Sequence, residues 1–287
     1  MGHESTSDFH IIGGPRSGEQ TLGAWLDSHP SITLSRNDGF AACTIPKQNP
    51  GRCPEAPYNT RVKGILSDWA RYTEFSVSAI LKNAPEARFI VCLSNPAELA
   101  WGAHSRNLRQ GIEPVKDFHT AWNLCPARRT GRGVPPGVSA EQLDYTSISA
   151  LGRQVARLLS QVPRDRILFI YLDDLSNKPH ETWVEVCRFL GVAKTTLTDD
   201  RVQDNVIKSP ALPVHDIMLT LRKWKRRILP NYRTGFTAGL RINGLCTGRS
   251  YIKPLPRSVR QSVCDTLSED IAMLSVLTNR DLSDWLV

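Results

Sequence analysis

The sequence predicts an α/β fold in a single domain, with a central parallel β-sheet flanked by helices. Short apolar runs alternate along the chain with segments of helical spacing, and strands that alternate with helices typically form a parallel sheet. The clearest apolar runs are Phe9–Gly13, Arg88–Leu93 and residues 166–172. The last two are apolar at almost every position, which is typical of strands that helices cover on both faces.

Local signals place the individual elements. The first strand ends at Gly13, and apolar residues then recur at helical spacing over residues 21–26. A second short strand is expected over residues 31–34, before a segment at 36–60 whose Pro, Gly and Asn content predicts a long loop. Further helices are expected from residue 76, over residues 95–108, 148–159 and 179–190, with Gly191 as the last one's C-cap, and over 259–277.

The predicted domain, residues 1–287, has a core and a C-terminal part. Residues 8–191 carry the alternating strands and helices, and residues 192–287 are mostly helical and are expected to complete the pocket. Residues 125–139, CPARRTGRGVPPGVS, contain almost no large apolar side chain. A segment of this length and composition predicts a loop that acts as a lid or an acceptor loop.

Composition narrows the classes of function. The chain carries a formal charge of +8, which makes an anionic partner such as a nucleotide or phosphate plausible. The basic run at residues 222–227 has no known reader motif beside it, so we expect a solvated helix face and no nucleic-acid partner. Seven cysteines without CxxC or Cys/His spacing argue against a disulfide framework and a metal site. We therefore expect a reduced, cytoplasmic protein without a membrane span.

The loop after the first strand has the composition of a phosphate-binding loop. Backbone N–H groups and a helix N-terminus form an anion-binding nest there, and Arg16 and Ser17 add a cation and a hydroxyl. Glu19 follows directly, and a carboxylate a few ångströms from a phosphate repels it by at least about 1 kcal/mol. Glu19 is therefore either a favourable first-turn residue of a helix that holds no phosphate or itself a catalytic group whose acidity Arg16 adjusts. Both interpretations stay open.

Four segments, in this order and spacing, resemble the PAPS-dependent sulfotransferase family, and its bacterial and heparan sulfate branches in particular. PAPS is 3′-phosphoadenosine 5′-phosphosulfate, and PAP is the product that remains after sulfuryl transfer. Residues 14–18 resemble the family's loop for the 5′-phosphosulfate, and residues 89–96 with 107–111 resemble its strand and helix for the 3′-phosphate. Residues 167–175, with 179 and 189–191, resemble the family's "strand, E/D-D-L, P, F-L-G" pattern, and residues 279–285 resemble its "GRDLSxW" tail. The resemblance implies a sulfotransferase-type, P-loop-like fold that uses PAPS or PAP and no metal.

The donor-binding positions depart from the family's pattern. The family follows its loop with two threonines, and Glu19 and Gln20 occupy those positions here, although Thr21 supplies a hydroxyl in a shifted register. The arginine that pairs with the 3′-phosphate is replaced by Ser94, and the serine eight residues later by Gly102. Losing a bidentate arginine contact to phosphate removes about 1.5 to 3 kcal/mol. The donor site is therefore expected to be eroded.

The resemblance also implies a C-terminal donor contact and a catalytic base. Gly248 and Arg249 keep two residues of the family's Lys-Gly-Arg loop. In the heparan sulfate branch a glutamate after the second strand takes the acceptor's proton, and Asn37 stands at that position. Because asparagine accepts no proton at neutral pH, Asp38 is expected to replace it by a one-residue shift.

The expected site residues follow from the loop and the resemblance together. The catalytic residues are expected to be Arg16, Glu19 and Asp38. The donor-binding residues are expected to be Gly14, Arg16, Ser17, Gly18, Thr21, Ser94, Gly248 and Arg249.

Three functions stay open at this point. The chain transfers a sulfuryl group from PAPS to a hydroxyl or amine of a small molecule, or it is a repurposed enzyme that performs acid/base or cyclisation chemistry on a small metabolite without PAPS. The third possibility is a non-catalytic subunit of a heteromeric sulfotransferase. The expected partners are a small-molecule acceptor and, in an assembly, a second copy or an active relative. The acceptor itself has no motif in the sequence.

Overall fold

The computed structural model describes residues 7–36, 62–68, 74–197, 206–209, 248–251 and 255–286. The chain divides into two compact units, which are described separately below. The sheet unit comprises Met1–Asn95, Ala150–Asp204 and Ser268–Val287, and the helical unit comprises Pro96–Ser149 and Asn205–Leu267. The predicted division of the chain at residue 191 stays a prediction.

The sheet unit is built on five parallel strands: β1 (Phe9–Gly13), β2 (Ile32–Arg36), β3 (Val62–Asp68), β4 (Arg88–Leu93) and β5 (Ile167–Tyr171). Their order in the sheet is β2-β3-β1-β4-β5, and every neighbouring pair is parallel. The chain places β2 and β3 on one side of β1 and then β4 and β5 on the other. The direction of connection therefore changes at β1, which is where open α/β sheets bind ligands.

The helices of the sheet unit are α1 (Glu19–Asp27), α2 (Glu74–Asn83), α7 (Leu151–Leu159), α8 (Leu172–Asn177), α9 (Pro179–Leu190) and α11 (Ser268–Thr278), with short 3-10 turns at Arg164–Arg166 and Ser283–Leu286. Proline begins α9 and Gly191 ends it at φ 71°, as the sequence predicts. Among the described helices, none is both long enough and apolar enough to cross a membrane. The predicted α/β fold class, a parallel sheet flanked by helices, is confirmed.

The core of the sheet unit lies between the strands and two of these helices. All five residues of β1 are buried, and Phe9 and Ile11 belong to a cluster that also contains residues of α1 and α9. Trp25 of α1 and Trp183 of α9 meet edge to face, with ring centroids 6.4 Å apart. Burial of large apolar side chains of this kind stabilises the fold by about 1.5 to 3 kcal/mol each. This packing fixes α1, and with it the loop that precedes it.

Strand β3 was not predicted from the sequence. It pairs with β1, and Gly64 lies opposite Phe9 in the register. A Cβ atom on Gly64 would come within 2.1 Å of Cζ of Phe9, because the phenyl ring lies over the glycine. Glycine and Lys63 weaken the apolar pattern of the strand, and the reason for the glycine is visible only in the partner strand.

Two helices that were predicted as continuous are each broken in the structure. Residues 148–159 form the end of one short helix and all of α7, and residues 259–277 are divided at Leu267. Inside the sheet unit, Asp270 of α11 accepts hydrogen bonds from the backbone N–H groups of Gly152 (2.7 Å) and Arg153 (3.0 Å). A carboxylate at these two N–H groups caps the start of α7, so the chain begins a new helix there.

The helical unit contains α3 (Pro96–Arg109), α4 (Phe118–Asn123), α5 (Cys125–Arg129), α6 (Tyr145–Ser149), α10 (Arg257–Thr266) and a 3-10 turn at Ala140–Leu143. It also contains an antiparallel pair, β6 (Val206–Ser209) and β7 (Gly248–Tyr251). Asp117 begins α4 by accepting a hydrogen bond from the Thr120 N–H at 2.7 Å. Arg260 of α10 forms an ion pair with Glu98 of α3 at 2.7 Å.

The lid predicted at residues 125–139 is wrong for its first five residues. These form α5, with Pro126 in the first turn, and Arg128 points inward with no exposed surface. Its guanidinium pairs with both carboxylate oxygens of Glu113, each at 2.8 Å. A segment held by a buried ion pair is part of the core, and composition alone does not show where an arginine finds its partner.

Candidate functional site

The candidate site lies at the carboxyl edge of the sheet, where β1 ends. Gly13 is the last residue of β1, and the register places it beside Asp68 of β3 and Cys92 of β4. The loop at residues 14–18 connects β1 to α1 at this edge. It therefore occupies the position at which doubly wound α/β sheets hold the phosphate groups of their ligands.

The loop has the backbone conformation of an anion nest. Arg16 and Gly18 both have left-handed backbone angles, with φ of 67° and 88°, and the Ser17 N–H donates to the Gly14 carbonyl at 3.1 Å. Left-handed residues that alternate with ordinary ones turn successive N–H groups toward one point. A positive φ is common for glycine but unusual for arginine, so the turn at Arg16 is held by its surroundings.

Glu19 folds back over the loop. The Ser17 hydroxyl lies 2.8 Å from the Gly14 carbonyl oxygen and 3.1 Å from Oε2 of Glu19, and both oxygens accept from its single proton. Ser17 is fully buried and Glu19 is 9% exposed. A Cβ atom on Gly13 would lie 2.5 Å from Cβ of Glu19 and 2.7 Å from Oγ of Ser17. The two side chains therefore lie directly against the end of β1.

The nearby residues Gln20, Thr21 and Arg16 differ from Glu19 in burial and in their partners. Gln20 is exposed, and its side-chain oxygen accepts a hydrogen bond from Nη1 of Arg36 at 3.2 Å. Thr21 is buried at 1% exposure, and Arg16 is half-buried. The Gln20 side chain is thus bonded to Arg36 of β2.

Ser94 lies at the same edge of the sheet, directly after β4. It is 2% exposed, and its hydroxyl oxygen has no hydrogen-bond partner among the described residues. The next residue, Asn95, donates from Nδ2 to the Trp285 carbonyl at 3.1 Å. A buried hydroxyl without a partner costs about 1 to 3 kcal/mol, so its presence needs a reason. Because β4 is the neighbour of β1, this hydroxyl stands at the edge of the sheet where the loop lies.

The C-terminal motif packs on the end of β5. Arg280 forms a bidentate ion pair with Asp174 of α8, with one bond of 3.0 Å, and its guanidinium lies 3.8 Å from the ring centroid of Tyr171. The hydrogen bond to Asp174 raises the pKa of Arg280 above its usual value. Trp285 packs against the same tyrosine, with ring centroids 6.2 Å apart. The tail thus covers the end of the strand that neighbours β4.

The other predicted site residues lie elsewhere. Gly102 is buried in α3, and Gly248 and Arg249 lie in β7, where they pair with Ser209 and Lys208. All three belong to the helical unit. Asp38, the predicted base, lies outside the described residues. Within its own unit, the structure therefore brings together Gly14, Arg16, Ser17, Gly18 and Glu19, with Thr21 in the following turn.

A buried polar network in the helical unit was missed from the sequence. Tyr145 donates its hydroxyl proton to Oε2 of Glu113 at 2.8 Å, beside the Glu113–Arg128 pair. Burial raises the pKa of Tyr145. Burial lowers the pKa of His104, whose Nε2 lies 2.9 Å from the Val115 carbonyl. Pro126 is a sequence signal for the start of α5, the helix that carries Arg128.

A second concave region lies at the opposite edge of the sheet. It is a groove of about 430 Å³ lined by Glu86, Arg88, Pro163, Asp165, Arg166 and Phe189. Arg88 begins β4 and bonds to the Phe189 carbonyl, and Arg166 bonds to the Pro85 carbonyl. Because parallel sheets bind ligands at their carboxyl ends, the loop after β1 is the better site. In the described residues, no group of three His, Cys, Asp or Glu side chains is arranged to hold a metal ion.

Comparison with known proteins identifies the fold. No protein-family model and no curated protein sequence matches the chain. A sulfotransferase from Alicyclobacillus acidocaldarius is similar in structure, with a TM-score of 0.66 over 98% of this chain and 99% of that chain, at 17% identity. The mouse sulfotransferase SULT7A1, complexed with PAP, has a TM-score of 0.52 over 99% of this chain and 90% of that chain, at 11% identity. The chain therefore has the fold of the sulfotransferases, with a central five-stranded parallel sheet flanked by helices.

Proposed function

We propose that the protein transfers a sulfuryl group from PAPS to a hydroxyl or amine of a small molecule. The observation that carries the proposal is the nest after β1, with Arg16 and Ser17 in it, in a chain whose fold matches a sulfotransferase over nearly its whole length. The PAP bound to the mouse neighbour gives the ligand class its support.

The residues of the sheet unit fit the phosphate end of such a donor. The N–H groups of the loop, the guanidinium of Arg16 and the N-terminus of α1 favour an anion. The Ser94 hydroxyl is buried without a partner at the neighbouring strand end, and a phosphate oxygen is an acceptor that would satisfy it. When bound, PAPS supplies the electrophilic sulfuryl group.

The chain's own contribution to such a transfer is position and charge. Sulfuryl transfer, like phosphoryl transfer, depends on holding the reacting atoms in line and on stabilising charge at the leaving oxygen. Arg16 and the nest would hold the phosphate end of the donor and stabilise its charge, and Asp38 would take the proton of the acceptor group. Gly248 and Arg249 are proposed to contribute to binding of the nucleotide.

Glu19 opposes this function in the resting protein. Its carboxylate pairs with the Ser17 hydroxyl that a phosphate would need, and it carries the same sign of charge as the ligand. The family's 3′-phosphate arginine is Ser94 here, which cannot form a charged pair. We therefore propose an eroded donor site with weakened affinity for the nucleotide.

Calorimetric titration with PAP tests the proposal. We expect binding in the micromolar range, and we expect Arg16→Gln to weaken it by about tenfold to a hundredfold, because a charged hydrogen bond is lost. Arg188→Gln, on the exposed side of α9, is the matched control and should leave affinity unchanged. Absence of heat at millimolar PAP would contradict the proposal and favour an enzyme or subunit that does not use PAPS.

A further inference from the structure

The carboxylate of Glu19 occupies the loop on which the proposed function depends. It is nine-tenths buried, its Oε2 accepts a hydrogen bond from the Ser17 hydroxyl at 3.1 Å, and its Cβ lies 2.5 Å from the place that a Cβ on Gly13 would take. The side chain is therefore packed into the loop and does not project into solvent. A ligand phosphate that reaches Ser17 must come close to this carboxylate.

Two acceptors cannot share such a space without a proton between them. A phosphate oxygen and a carboxylate oxygen both accept hydrogen bonds, and their charges repel. A proton on the carboxyl group removes one charge and supplies a donor, so that repulsion becomes a charge-assisted O–H···O⁻ bond. Paired carboxylates solve the same problem by sharing one proton.

The other charged groups near the loop do not substitute for this proton. Arg16 is a permanent cation, and Arg36 on β2 is paired with Asp27. His10 on β1 is bonded to Ser7 at 2.8 Å and stacked on Phe89, near the start of the strand, while the loop follows its end. Lys63 on β3 lies opposite Thr33 of β2, also near the start of its strand.

We propose that this loop binds an anion together with one proton, which Glu19 takes up from solvent. The protonated carboxyl group then donates a hydrogen bond to the bound phosphate. A threonine hydroxyl has this role in the sulfotransferase family that the sequence resembles. Glu19 is thus a specificity-determining residue that makes donor binding pH-dependent. The inference rests on the proposed function, since it concerns the same ligand and the same loop.

Proton counting tests the inference directly. PAP is titrated into the full-length protein in a series of buffers that differ in ionisation enthalpy. The observed binding enthalpy is plotted against the ionisation enthalpy of the buffer, and the slope gives the number of protons taken up. We expect the unaltered protein to take up about one proton more than Glu19→Gln, which has nearly the same shape and cannot titrate. Below neutral pH, the ratio of the two affinities should shift in favour of the unaltered protein by up to about tenfold per pH unit. Ionisation of PAP, of His10 and of Asp68, which the register of β3 places beside Gly13, is common to both proteins and cancels in this ratio.

Two further variants complete the experiment. Glu181→Gln, in the exposed first turn of α9, is the matched control and should keep the extra proton. Glu19→Thr supplies a hydroxyl donor without a titrating group, so it should bind PAP without the extra proton. It also serves if the glutamine variant fails to fold.

The outcomes separate this inference from the proposed function. If PAP binds and the proton counts of the unaltered protein and both Glu19 variants are equal, the inference is overturned and the proposed function stands. If none of these proteins binds PAP at any pH between about 5 and 8, a range that begins just above the ordinary pKa of a carboxyl group and includes that of histidine, both are overturned.

Discussion

The Ser17 hydroxyl donates to the Glu19 carboxylate across 3.1 Å, inside a loop whose backbone is shaped to bind an anion. The contact is made possible by Gly13, whose missing side chain leaves the space that Ser17 and Glu19 occupy. The anion nest and the residue that opposes an anion are therefore parts of one packed structure.

This packing predicts the effect of a methyl group at Gly13. Its Cβ would lie 2.5 Å from Cβ of Glu19 and 2.7 Å from Oγ of Ser17, so Gly13→Ala must displace both side chains. We expect the free energy of unfolding to fall by about 1 to 3 kcal/mol, as in other overpacked sites. Urea denaturation measures the change, and an unaltered midpoint would show that Glu19 does not lie over the end of β1.

The buried pair of Glu113 and Arg128 predicts a strongly non-additive response. Both side chains have no exposed surface, so Glu113→Leu leaves an unpaired buried charge and should cost about 3 to 5 kcal/mol. Replacing both, as Glu113→Leu with Arg128→Met, should cost less than either single change. Urea denaturation of the three variants tests this, and additive losses would argue against a direct buried pair.

His10 predicts a loss of stability in acid. Burial lowers its pKa from 6.5 to about 4, so the unfolded chain binds a proton more readily than the folded one. The stability from the neutral ring is present above about pH 6.5 and is lost as pH falls toward about 4, by roughly 2 kcal/mol at about pH 5. Between about pH 6.5 and 5, the free energy of unfolding measured with urea should therefore fall by roughly 2 kcal/mol less in His10→Gln than in the unaltered protein. Parallel curves for the two proteins would contradict the assignment.

Asp270 predicts a capping contribution across two helices. It accepts from the N–H groups of Gly152 and Arg153, so Asp270→Ala should lower the free energy of unfolding by about 1 to 2 kcal/mol. The neighbouring exposed Glu269 provides the control, because Glu269→Ala removes a charge from the same helical turn without touching α7. Equal losses in the two variants would show that the contact to α7 contributes nothing.

The strands that helices cover were the easiest part of the fold to predict. Runs such as Phe89 to Leu93 are apolar at every position, and the structure buries all of them. β3 was missed because Gly64 interrupts its pattern, and that glycine is explained by the Phe9 ring on the partner strand. Periodicity within one segment does not contain a constraint that comes from another segment.

The candidate site shows the same limit. Arg16, Ser17 and Glu19 were predicted as a group because they are neighbours in sequence. The direction of the Glu19 side chain was not predicted, since it depends on the space above Gly13. The Glu113–Arg128 pair was missed because its partners are separated in sequence and because Arg128 lies in a segment whose composition resembles a loop.

The most direct test of the account compares PAP binding by the unaltered protein and by Glu19→Gln at neutral pH. If the loop after β1 holds the phosphate end of the nucleotide, removing the carboxylate charge should tighten binding by about tenfold or more, which corresponds to about 1.4 kcal/mol. We expect measurable binding in both proteins and the tighter binding in the variant. Failure of both proteins to bind PAP at millimolar concentration would contradict it.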